Sequence, residues 1–332
     1  MPWIKPYYAI KSNPSIEIIN TLLDKKMKTN NAVGLDAASI NELKISLSHS
    51  VSNNIIYTNP HTISHEKDIL SEMLQKVDLK VVDSMCELKK MIKYNIQANL
   101  LVRLISNVCL ANCQFDSKFG CNIQEAFEII KYAKKHNIKV KGVSFHIGSG
   151  GNFKRKDAYK TAIEYAKPVL NYLEKELNNE KPILDIGGGV LYNTDLEDAL
   201  GWTKHLPYKI ISELGRYYSE PSYHLAVQII AETDRGIFLD NGVYHELNVY
   251  HRDHWDFPKL THYYDTKNGK IEEVKEFKKV KIFGPTCDSY DTINECIFPS
   301  SYNIEDWIFL KNMGSYTSAG KVDFNGIRGA ST

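Results

Sequence analysis

The stretch PYYAIKSNPSIEIINTLLDKKM (6–27) contains the pattern that decides the fold. The apolar run at residues 7–10 predicts a short buried strand, and the residues after it predict an amphipathic helix. Asn13 and Pro14 predict a cap and a first-turn proline for that helix. Apolar side chains recur along it at the spacing of one helical face, namely Ile16, Ile19, Leu22, Leu23 and Met27.

The same alternation of strand and helix continues through residue 220. Helical periodicity is clear in IQEAFEIIKYAKKH (123–136) and KDAYKTAIEYAKPVLNYLEKEL (156–177). Eight β-rich runs separated by helices favour an α/β fold of the (β/α)8, TIM-like barrel type over a doubly wound sheet. The runs are YYAI (7–10), AVGLD (32–36), NIIYT (54–58), LKVVD (79–83), NLLVRL (99–104), VKGVSFHI (140–147), PILDI (182–186) and KIISEL (209–214).

The sequence pattern changes after about residue 220, where β-rich segments separated by turn-forming residues replace the helical periodicity. We therefore expect a barrel domain at 1–220 and an all-β C-terminal domain at 221–332. The charged region 265–279 is predicted to be a solvated connection or an edge hairpin. The β-rich segments are HLAVQIIAET (224–233), GIFLDNGVY (236–244), KKVKIFGP (278–285) and DWIFLKNMGSY (306–316).

Composition limits the possible partners and locations. Of the 332 residues, 43% are apolar and 24% charged, which is typical of a globular protein, and the formal net charge of +1 indicates no nucleic acid or other polyanionic partner. No apolar run approaches the roughly 20 residues that span a bilayer, so no membrane association and a cytoplasmic location are expected. The cysteines form no CxxC pair, so neither a metal site nor a disulfide framework is expected. They are Cys86, Cys109, Cys113, Cys121, Cys287 and Cys296.

Reactive residue types gather at the predicted strand ends, where a barrel of this kind has its active site. Glycines there allow backbone N–H groups to approach phosphate oxygens, and an arginine pairs with the phosphate dianion. The set suits a phosphate ester with an attached ring. Its members are Lys11, Asp36, His146 followed by Gly148, Ser149 and Gly150, then Gly187, Gly188 and Gly189, and finally Glu213, Gly215 and Arg216.

Each of these residues alone has an ordinary structural interpretation. Lys11 resembles a surface lysine, His146 a core histidine, and Glu213 with Arg216 an ion pair. The turn GGGVLYN lacks the GxGxxG spacing of a dinucleotide fingerprint. Only the joint placement at strand ends favours the functional interpretation.

Ordered motifs along nearly the whole chain resemble the fold-type III pyridoxal-phosphate decarboxylases, specifically the eukaryotic ornithine decarboxylase type. The resemblance implies a homodimer with shared active sites that decarboxylates a basic amino acid, foremost L-ornithine to putrescine in polyamine biosynthesis. The motifs are PYYAIKSNP (6–14), GLDAAS (34–39), SKFG (117–120), GVSFHIGSG (142–150), LDIGGG (184–189), ELGRYY (213–218), DNGVY (240–244), GPTCDSYD (284–291), MGSYTSA (313–319) and FNG (324–326).

The resemblance implies a role for each matching residue of the predicted barrel. Lys11 is similar to the lysine that binds the cofactor covalently, and Asp36 to an acid beside it. His146 is similar to the histidine on the pyridine ring, and Glu213 to the acid that keeps the ring nitrogen protonated. Phosphate ligands implied in the same way are Ser149, Gly188, Gly189, Gly215 and Arg216, with Tyr316 from the second domain.

The predicted β-domain supplies the residues implied for substrate binding and protonation. Cys287 resembles the cysteine that protonates the product carbon, although free cysteines are more often buried packing residues. Asp288 and Asp253 resemble the acids that bind the distal amine, and Phe324 an aromatic wall of that pocket.

The chain departs from the family pattern at three places. Leu214 replaces the proline that usually follows the strand-8 glutamate, a change we expect a turn to tolerate. Gln114, or a neighbour shifted by a residue or so, stands where the loop before KFG usually carries an arginine near the cofactor. The segment that family members carry before the first barrel strand, which adds a strand to the β-domain, is expected to be missing.

Several alternatives stay open at this point. Arginine or lysine could be the substrate instead of ornithine, because Asp288 and Asp253 suit any substrate with a positive distal group. Only the depth of the pocket would discriminate among the three. Meso-diaminopimelate is disfavoured because CDSYD (287–291) differs from CESxD, and a racemase lacks support from the same motif. A non-catalytic homologue that binds a regulatory partner is favoured by Gln114 and the short start, but Lys11, Glu213 and Cys287 argue against it.

Overall fold

The computed structural model describes residues 1–24, 33–49, 54–108, 116–149, 154–177 and 180–331. It divides into two compact units, Met1–Tyr217 and Tyr218–Thr332. The division therefore falls at 217/218, where the sequence predicted 220/221.

The first unit is a closed barrel of eight parallel strands in sequence order, in which the last strand pairs with the first. All eight predicted strands are confirmed, with shifts of a few residues at their ends. The strands are β1 Ile4–Ala9, β2 Gly34–Ala37, β3 Ile55–Tyr57, β4 Leu79–Val82, β5 Leu100–Arg103, β6 Val140–Ser144, β7 Ile183–Asp185 and β8 Lys209–Glu213.

Helices follow the strands, as the sequence periodicity predicted. The longest, α6, covers the second predicted helix almost completely. The helices are α1 Ile16–Leu23, α2 Ile40–His49, α3 Lys67–Leu74, α4 Met85–Lys93, α5 Ile123–Lys135, α6 Arg155–Glu176, α7 Leu196–Leu200, α8 Arg216–Ser219 and α9 Val249–Arg252. Among those in the described ranges, none is long and apolar enough to cross a membrane.

The start of α1 differs from the prediction. Ser15 occupies the N-cap position, so Pro14 precedes the helix instead of lying in its first turn. The Asn13 side chain accepts a hydrogen bond from the Ser15 N–H at 3.0 Å and so orders the chain ahead of the helix. Met27 lies outside the described residues.

The barrel interior is an apolar layer with a polar layer above it. Successive side chains of a strand point to opposite faces, so residues two apart share a face. Residues two positions beyond the apolar layer therefore face the same interior at the carboxyl ends of the strands. The apolar layer consists of Tyr7, Ile56, Leu79, Val81, Leu101 and Ile211, with Ile183 packed against it.

The second unit is a seven-stranded mixed sheet in the order β12-β11-β15-β9-β10-β13-β14. The four β-rich segments predicted after residue 220 each contain a strand. The charged region 265–279 overlaps an edge hairpin: it begins at the last residue of β11 and contains the turn and β12. The strands are β9 Leu225–Thr233, β10 Gly236–Leu239, β11 His262–Asp265, β12 Lys270–Glu273, β13 Phe277–Phe283, β14 Thr292–Pro299 and β15 Trp307–Leu310.

The sequence analysis missed β14 because its alternation is interrupted. Ile293 and Cys296 are both buried although an odd number of positions separates them. Glu295 between them has a positive φ of 28°, and the pairing with β13 shifts register nearby. An irregularity of this kind breaks the period of two by which a strand is recognised.

Candidate active site

Lys11 and Asp36 form an ion pair at the carboxyl ends of the first two strands. Lys11 lies in a single 3-10 turn, Ile10–Ser12, directly after β1, and its Nζ is 3.7 Å from Asp36 Oδ2. The lysine side chain is 41% exposed, whereas that of Asp36 is fully buried. The pair therefore presents an accessible amine held by a buried carboxylate.

Asp36 is further held by Thr58, whose hydroxyl donates to Asp36 Oδ1 at 2.6 Å. Burial raises the pKa of Asp36 to about 7, opposed by the Lys11 ammonium and supported by the negative charge of Glu213. Asp36 is thus an acid whose charge depends on its neighbours at neutral pH.

His146 follows β6 and is held as a neutral ring. Burial lowers its pKa well below the ordinary value, and the positive charges of Arg103, Lys11 and Arg216 lower it further. The Gly148 N–H donates to His146 Nδ1 at 3.0 Å, so the neutral ring carries its proton on Nε2.

The glycines after β6 and β7 allow two loops to approach each other. A Cβ on Gly188 would lie 2.7 Å from the Glu213 carbonyl oxygen and 3.0 Å from His146 Nε2. Gly189 has a φ of +88°, and a Cβ there would lie 2.4 Å from the Gly148 carbonyl oxygen. Any larger residue at these positions would push the loops apart.

Helix α6 fixes the triglycine turn from outside the barrel. Arg155 Nε donates to the Gly189 carbonyl at 2.9 Å, and the buried Tyr159 hydroxyl donates to the Gly188 carbonyl at 2.8 Å. Because both contacts use carbonyl oxygens, α6 holds the turn without using the N–H groups of Gly188 and Gly189.

Glu213 ends β8 beside a second buried acid, Asp185. The Glu213 N–H donates to the Gly187 carbonyl at 2.8 Å, and the Gly187 N–H donates to Asp185 Oδ1 at 2.9 Å. Burial, followed by the negative charge of Glu213, raises the pKa of Asp185 well above its ordinary value. The two neighbouring carboxyl groups therefore hold fewer than two negative charges.

The other predicted phosphate ligands of the barrel lie close in sequence to these residues. Ser149 is buried directly after Gly148, and Gly150 lies outside the described residues. Gly215 precedes the buried Arg216, which begins α8. Leu214 replaces the expected proline, and its N–H donates to the Tyr7 carbonyl at 2.8 Å, a bond that proline cannot make.

Two residues of the polar layer were missed by the sequence analysis, Arg103 and Asp185. Arg103 lies two residues beyond Leu101, and Asp185 two beyond Ile183, so each extends the inner face of its strand. The alternation of the predicted strands contained this signal. Gln114 lies outside the described residues, but Arg103 places a positive charge near His146.

In the second unit, Asp288 contacts an aromatic cluster. The Tyr244 hydroxyl donates to Asp288 Oδ2, and the Tyr290 N–H donates to Asp288 Oδ1 at 3.1 Å. These two bonds hold the pKa of Asp288 below its ordinary value. Phe324 stacks on Tyr244 with ring centroids 4.4 Å apart, so the structure brings Asp288 and Phe324 to the same tyrosine.

Cys287 is exposed, which contradicts the alternative that it is a buried packing residue. Its N–H donates to Asn325 Oδ1 at 3.0 Å, one residue after Phe324. Its thiol is therefore accessible, on a loop whose backbone is fixed.

The buried Asp291 ties this loop to the segment that carries Tyr244. Its Oδ1 accepts the Val243 N–H at 2.8 Å, and its Oδ2 accepts both the N–H and the hydroxyl of Thr286, at 3.1 and 2.7 Å. A Cβ on Gly242 or Gly284 would lie within 2.3 Å of the carboxylate. The motif GPTCDSYD thus contains its own structural anchor.

Asp253 and Tyr316 occupy other parts of the second unit. Asp253 is half-buried after α9, and its N–H donates to the Val249 carbonyl at 3.0 Å. Tyr316 packs against the core of the sheet and has a φ of 61°, a left-handed conformation that is uncommon for tyrosine. Such strain recurs at functional positions.

The polar end of the barrel fits a phosphorylated pyridine aldehyde. It offers an accessible amine on Lys11, a neutral ring on His146 and a buried carboxylate on Glu213. Beside them lie the glycine turns, in which any side chain would collide with neighbouring backbone. The Ser144 hydroxyl, two positions before His146, is buried without a hydrogen-bond partner in the described ranges. A ligand with polar groups and an aromatic ring matches this chemistry.

Comparison with known families agrees with this chemistry. Residues 1–238 match the model described as "Pyridoxal-dependent decarboxylase, pyridoxal binding domain". The chain belongs to the family of pyridoxal-dependent decarboxylases. It is a carboxy-lyase that uses pyridoxal phosphate.

Relatives similar to nearly the whole chain include two that are named ornithine decarboxylase. Ornithine decarboxylase of Schizosaccharomyces pombe is 31% identical over 99% of this chain and 77% of its own length. Ornithine decarboxylase of Mus musculus is also 31% identical, over 99% of this chain and 74% of its own length.

Solved structures share the fold of the whole chain. Paramecium bursaria Chlorella virus arginine decarboxylase bound to agmatine has a TM-score of 0.83 at 28% identity, covering 99% of this chain and 88% of the other. Lysine/ornithine decarboxylase of Vibrio vulnificus complexed with putrescine has a TM-score of 0.79 at 28% identity, covering 99% and 87%. The similarity thus extends across both units.

Proposed function

We propose that this enzyme decarboxylates L-ornithine to putrescine, with its cofactor held at the polar end of the barrel. The buried Glu213, beside the Lys11–Asp36 pair, is the observation that carries the proposal. The names of several relatives at about 30% identity support ornithine as the substrate.

Within this proposal, the barrel residues bind the cofactor and control its protonation. When bound, pyridoxal phosphate accepts the electron pair that remains on the substrate carbon as CO₂ leaves. Lys11 provides the amine that holds the aldehyde carbon, and Asp36 orients that amine. Glu213 would keep a proton on the pyridine nitrogen, and the neutral His146 ring would contact the cofactor ring.

The phosphate is proposed to lie among the glycine turns and Arg216. Ser149, Gly188, Gly189 and Gly215 offer backbone and hydroxyl donors at close approach, since α6 contacts Gly188 and Gly189 through their carbonyl oxygens and not through their N–H groups. The buried Arg216 supplies the countercharge. Tyr316 is proposed to donate its hydroxyl to the same phosphate.

Residues of the second unit are proposed to bind the substrate. Asp288 keeps a negative charge because Tyr244 and the Tyr290 N–H stabilise its carboxylate, so it suits a distal ammonium group. Phe324 and Tyr244 provide an aromatic wall, and Asp253 a second acid. The accessible thiol of Cys287 is proposed to deliver a proton to the carbon that has lost CO₂, which completes the amine product.

We further propose a homodimer in which Cys287 and Asp288 serve the site of the partner subunit. The resemblance implies this arrangement, and the division of the candidate residues between two units supports it. The cytoplasmic location expected from the sequence stays a prediction.

Arginine and lysine are the competing substrates, because the solved relatives include arginine and lysine/ornithine decarboxylases. The test is a competition assay in which ornithine, lysine and arginine are offered together at equal concentration and the amine products are separated. We expect putrescine to predominate. A majority of cadaverine or agmatine would contradict ornithine as the substrate while leaving the enzyme class intact.

A non-catalytic homologue would behave differently in the same assay. It would form no amine from any of the three substrates, even if it bound pyridoxal phosphate. Asp288→Ala then locates the substrate site, because we expect it to raise KM for ornithine while leaving the cofactor absorbance unchanged.

A further inference from the structure

A second cavity lies at the opposite end of the barrel from Lys11 and Glu213. Its volume is about 500 Å³, and its wall includes Lys5 and Lys209 at the starts of β1 and β8. Six residues separate Lys5 from Lys11, which corresponds to roughly 20 Å along an extended strand. This amino-terminal cavity is therefore distinct from the candidate active site.

Positive charge dominates the wall of the amino-terminal cavity. Four strands or strand approaches each contribute one lysine, whereas Asp78 is the one carboxylate among the described residues of the wall. The whole chain has 41 basic and 40 acidic residues, so a local excess of this size does not reflect overall composition. The lysines are Lys5, Lys141, Lys181 and Lys209.

Asp78 offsets only part of this charge. Lys5 Nζ is 4.0 Å from Asp78 Oδ2. The positive charge of Lys141 also acts on Asp78, although within the described ranges Lys141, Lys181 and Lys209 have no carboxylate at ion-pair distance. The nearby Glu180 pairs instead with Lys139, at 3.7 Å.

The cavity also offers uncharged groups that suit a bound molecule. Its floor is apolar, formed by Leu79, Ile183 and Ile211, which belong to the inner layer of the barrel or pack against it. The Tyr208 hydroxyl and the Asn99 amide lie in the wall. Cations around a concave, low-dielectric floor concentrate the positive potential, and they attract anions more strongly than the same lysines on a convex surface.

We propose that the amino-terminal cavity binds a small anion that carries two or more phosphate groups. Four ammonium groups against the single carboxylate of Asp78 leave an excess of positive charge, which matches a multiply charged anion better than a monoanion. Ammonium groups bind phosphate as point charges, so they need no fixed bidentate geometry. The volume lies within the range of ligand pockets, about 300–1,000 Å³.

The experiment uses the full chain loaded with pyridoxal phosphate, so that the cofactor's phosphate site is already filled. Isothermal titration measures binding of inorganic tripolyphosphate, ATP and adenosine at low and at physiological ionic strength. The test variant is Lys141→Gln with Lys209→Gln. The matched control is Lys44→Gln with Lys131→Gln, which removes two exposed helix charges elsewhere on the barrel.

We expect tripolyphosphate to bind at one molecule per chain and to bind more weakly at higher salt. The test variant should lose at least tenfold in affinity and the control less than twofold, while both decarboxylate ornithine at the unchanged rate. Tighter binding of ATP would show that the apolar floor holds a base, and equal binding would show that the phosphates alone are recognised. Absence of tripolyphosphate binding, or equal losses in both variants, would overturn the proposal.

Discussion

At the scale of single residues, the neighbouring carboxyl groups Glu213 and Asp185 decide the electrostatics of the site. Both are buried, and burial together with the charge of Glu213 favours the protonated form of Asp185. The negative charge of Glu213, which acts on Asp185, lies at the polar end of the barrel. A cationic ring nitrogen would stabilise that charge, so each group favours the charged state of the other.

Glu213→Ala is therefore expected to retain the cofactor but to slow decarboxylation by about 10²-fold or more, in the range found when a preorganised charge is removed. Steady-state kinetics with ornithine, together with the cofactor absorbance, measures both effects. Asp185→Asn serves as the control, since it keeps the size and polarity of the neighbouring group. Turnover of Glu213→Ala near the wild-type rate would refute the assigned role.

The raised pKa of Asp36 gives a prediction for the cofactor-free protein. An unfolded aspartate titrates near 3.9, whereas burial raises the pKa of Asp36 to about 7 in the fold. Protonation is therefore favoured in the folded state, and stability from this group is lost as pH rises from about 4 to about 7. Asp36→Asn should flatten this part of the curve of melting temperature against pH, and the exposed control Asp68→Asn should not. Equal slopes in all three proteins would contradict the assignment.

At the scale of elements, strand alternation explains both what the sequence predicted and what it missed. Lys11, His146 and Glu213 stand out because they end apolar runs. Arg103 and Asp185 are equally part of the inner face, but each lies inside a run that was interpreted only as a strand. Arg103 lowers the pKa of His146, and burial raises the pKa of Asp185. Both effects depend on the folded environment, which the local sequence pattern does not show. The missed strand β14 contains an irregularity at Glu295, so its burial pattern loses the period of two.

Asp291 illustrates a positioning role within one loop. Asp291→Ala would leave the buried Val243 N–H and the partly buried Thr286 N–H without their acceptor, and a buried unsatisfied group costs about 1–3 kcal/mol. We expect a lower melting temperature together with a fall in kcat, because the Cys287–Asp288 loop loses its anchor. Calorimetry and ornithine kinetics measure the two effects.

A second buried aspartate of the same sheet provides the matched control. Asp306 accepts the N–H groups of Thr266 and Asn303 at 3.0 and 2.7 Å, in a different turn. Asp306→Ala should therefore lower the melting temperature by a similar amount while kcat stays near the wild-type value. Parallel losses of kcat in both variants would show that stability alone accounts for the effect of Asp291.

At the scale of the whole molecule, the candidate residues divide between two units, and the proposed dimer makes this division testable. Mixing Lys11→Ala chains with Cys287→Ala chains should produce hybrid dimers that each contain one intact site. Because half of randomly exchanged dimers are hybrids, activity should recover to about a quarter of the wild-type value.

A control mixture distinguishes shared sites from general rescue. Lys11→Ala and Glu213→Ala both damage the barrel, so their hybrids would contain no intact site and should stay inactive. Absence of recovery in the first mixture, despite demonstrated subunit exchange, would show that the site is built within one chain.

The net charge of the chain does not reveal local clusters of like charge. A formal charge of +1 indicated no polyanionic partner, yet four lysines converge around one cavity. Their convergence depends on barrel closure, which brings strands from distant parts of the sequence together. Composition averages over such clusters and cannot show them.

The central claim is that Lys11 holds pyridoxal phosphate at the carboxyl end of the barrel. The most direct measurement is reduction of the loaded enzyme with borohydride, followed by proteolysis and mass spectrometry of the peptides. We predict that the phosphopyridoxyl group will be found on the peptide containing Lys11, at one group per chain. Labelling of a different lysine in place of Lys11, or of none in an enzyme that still forms putrescine, would contradict the account.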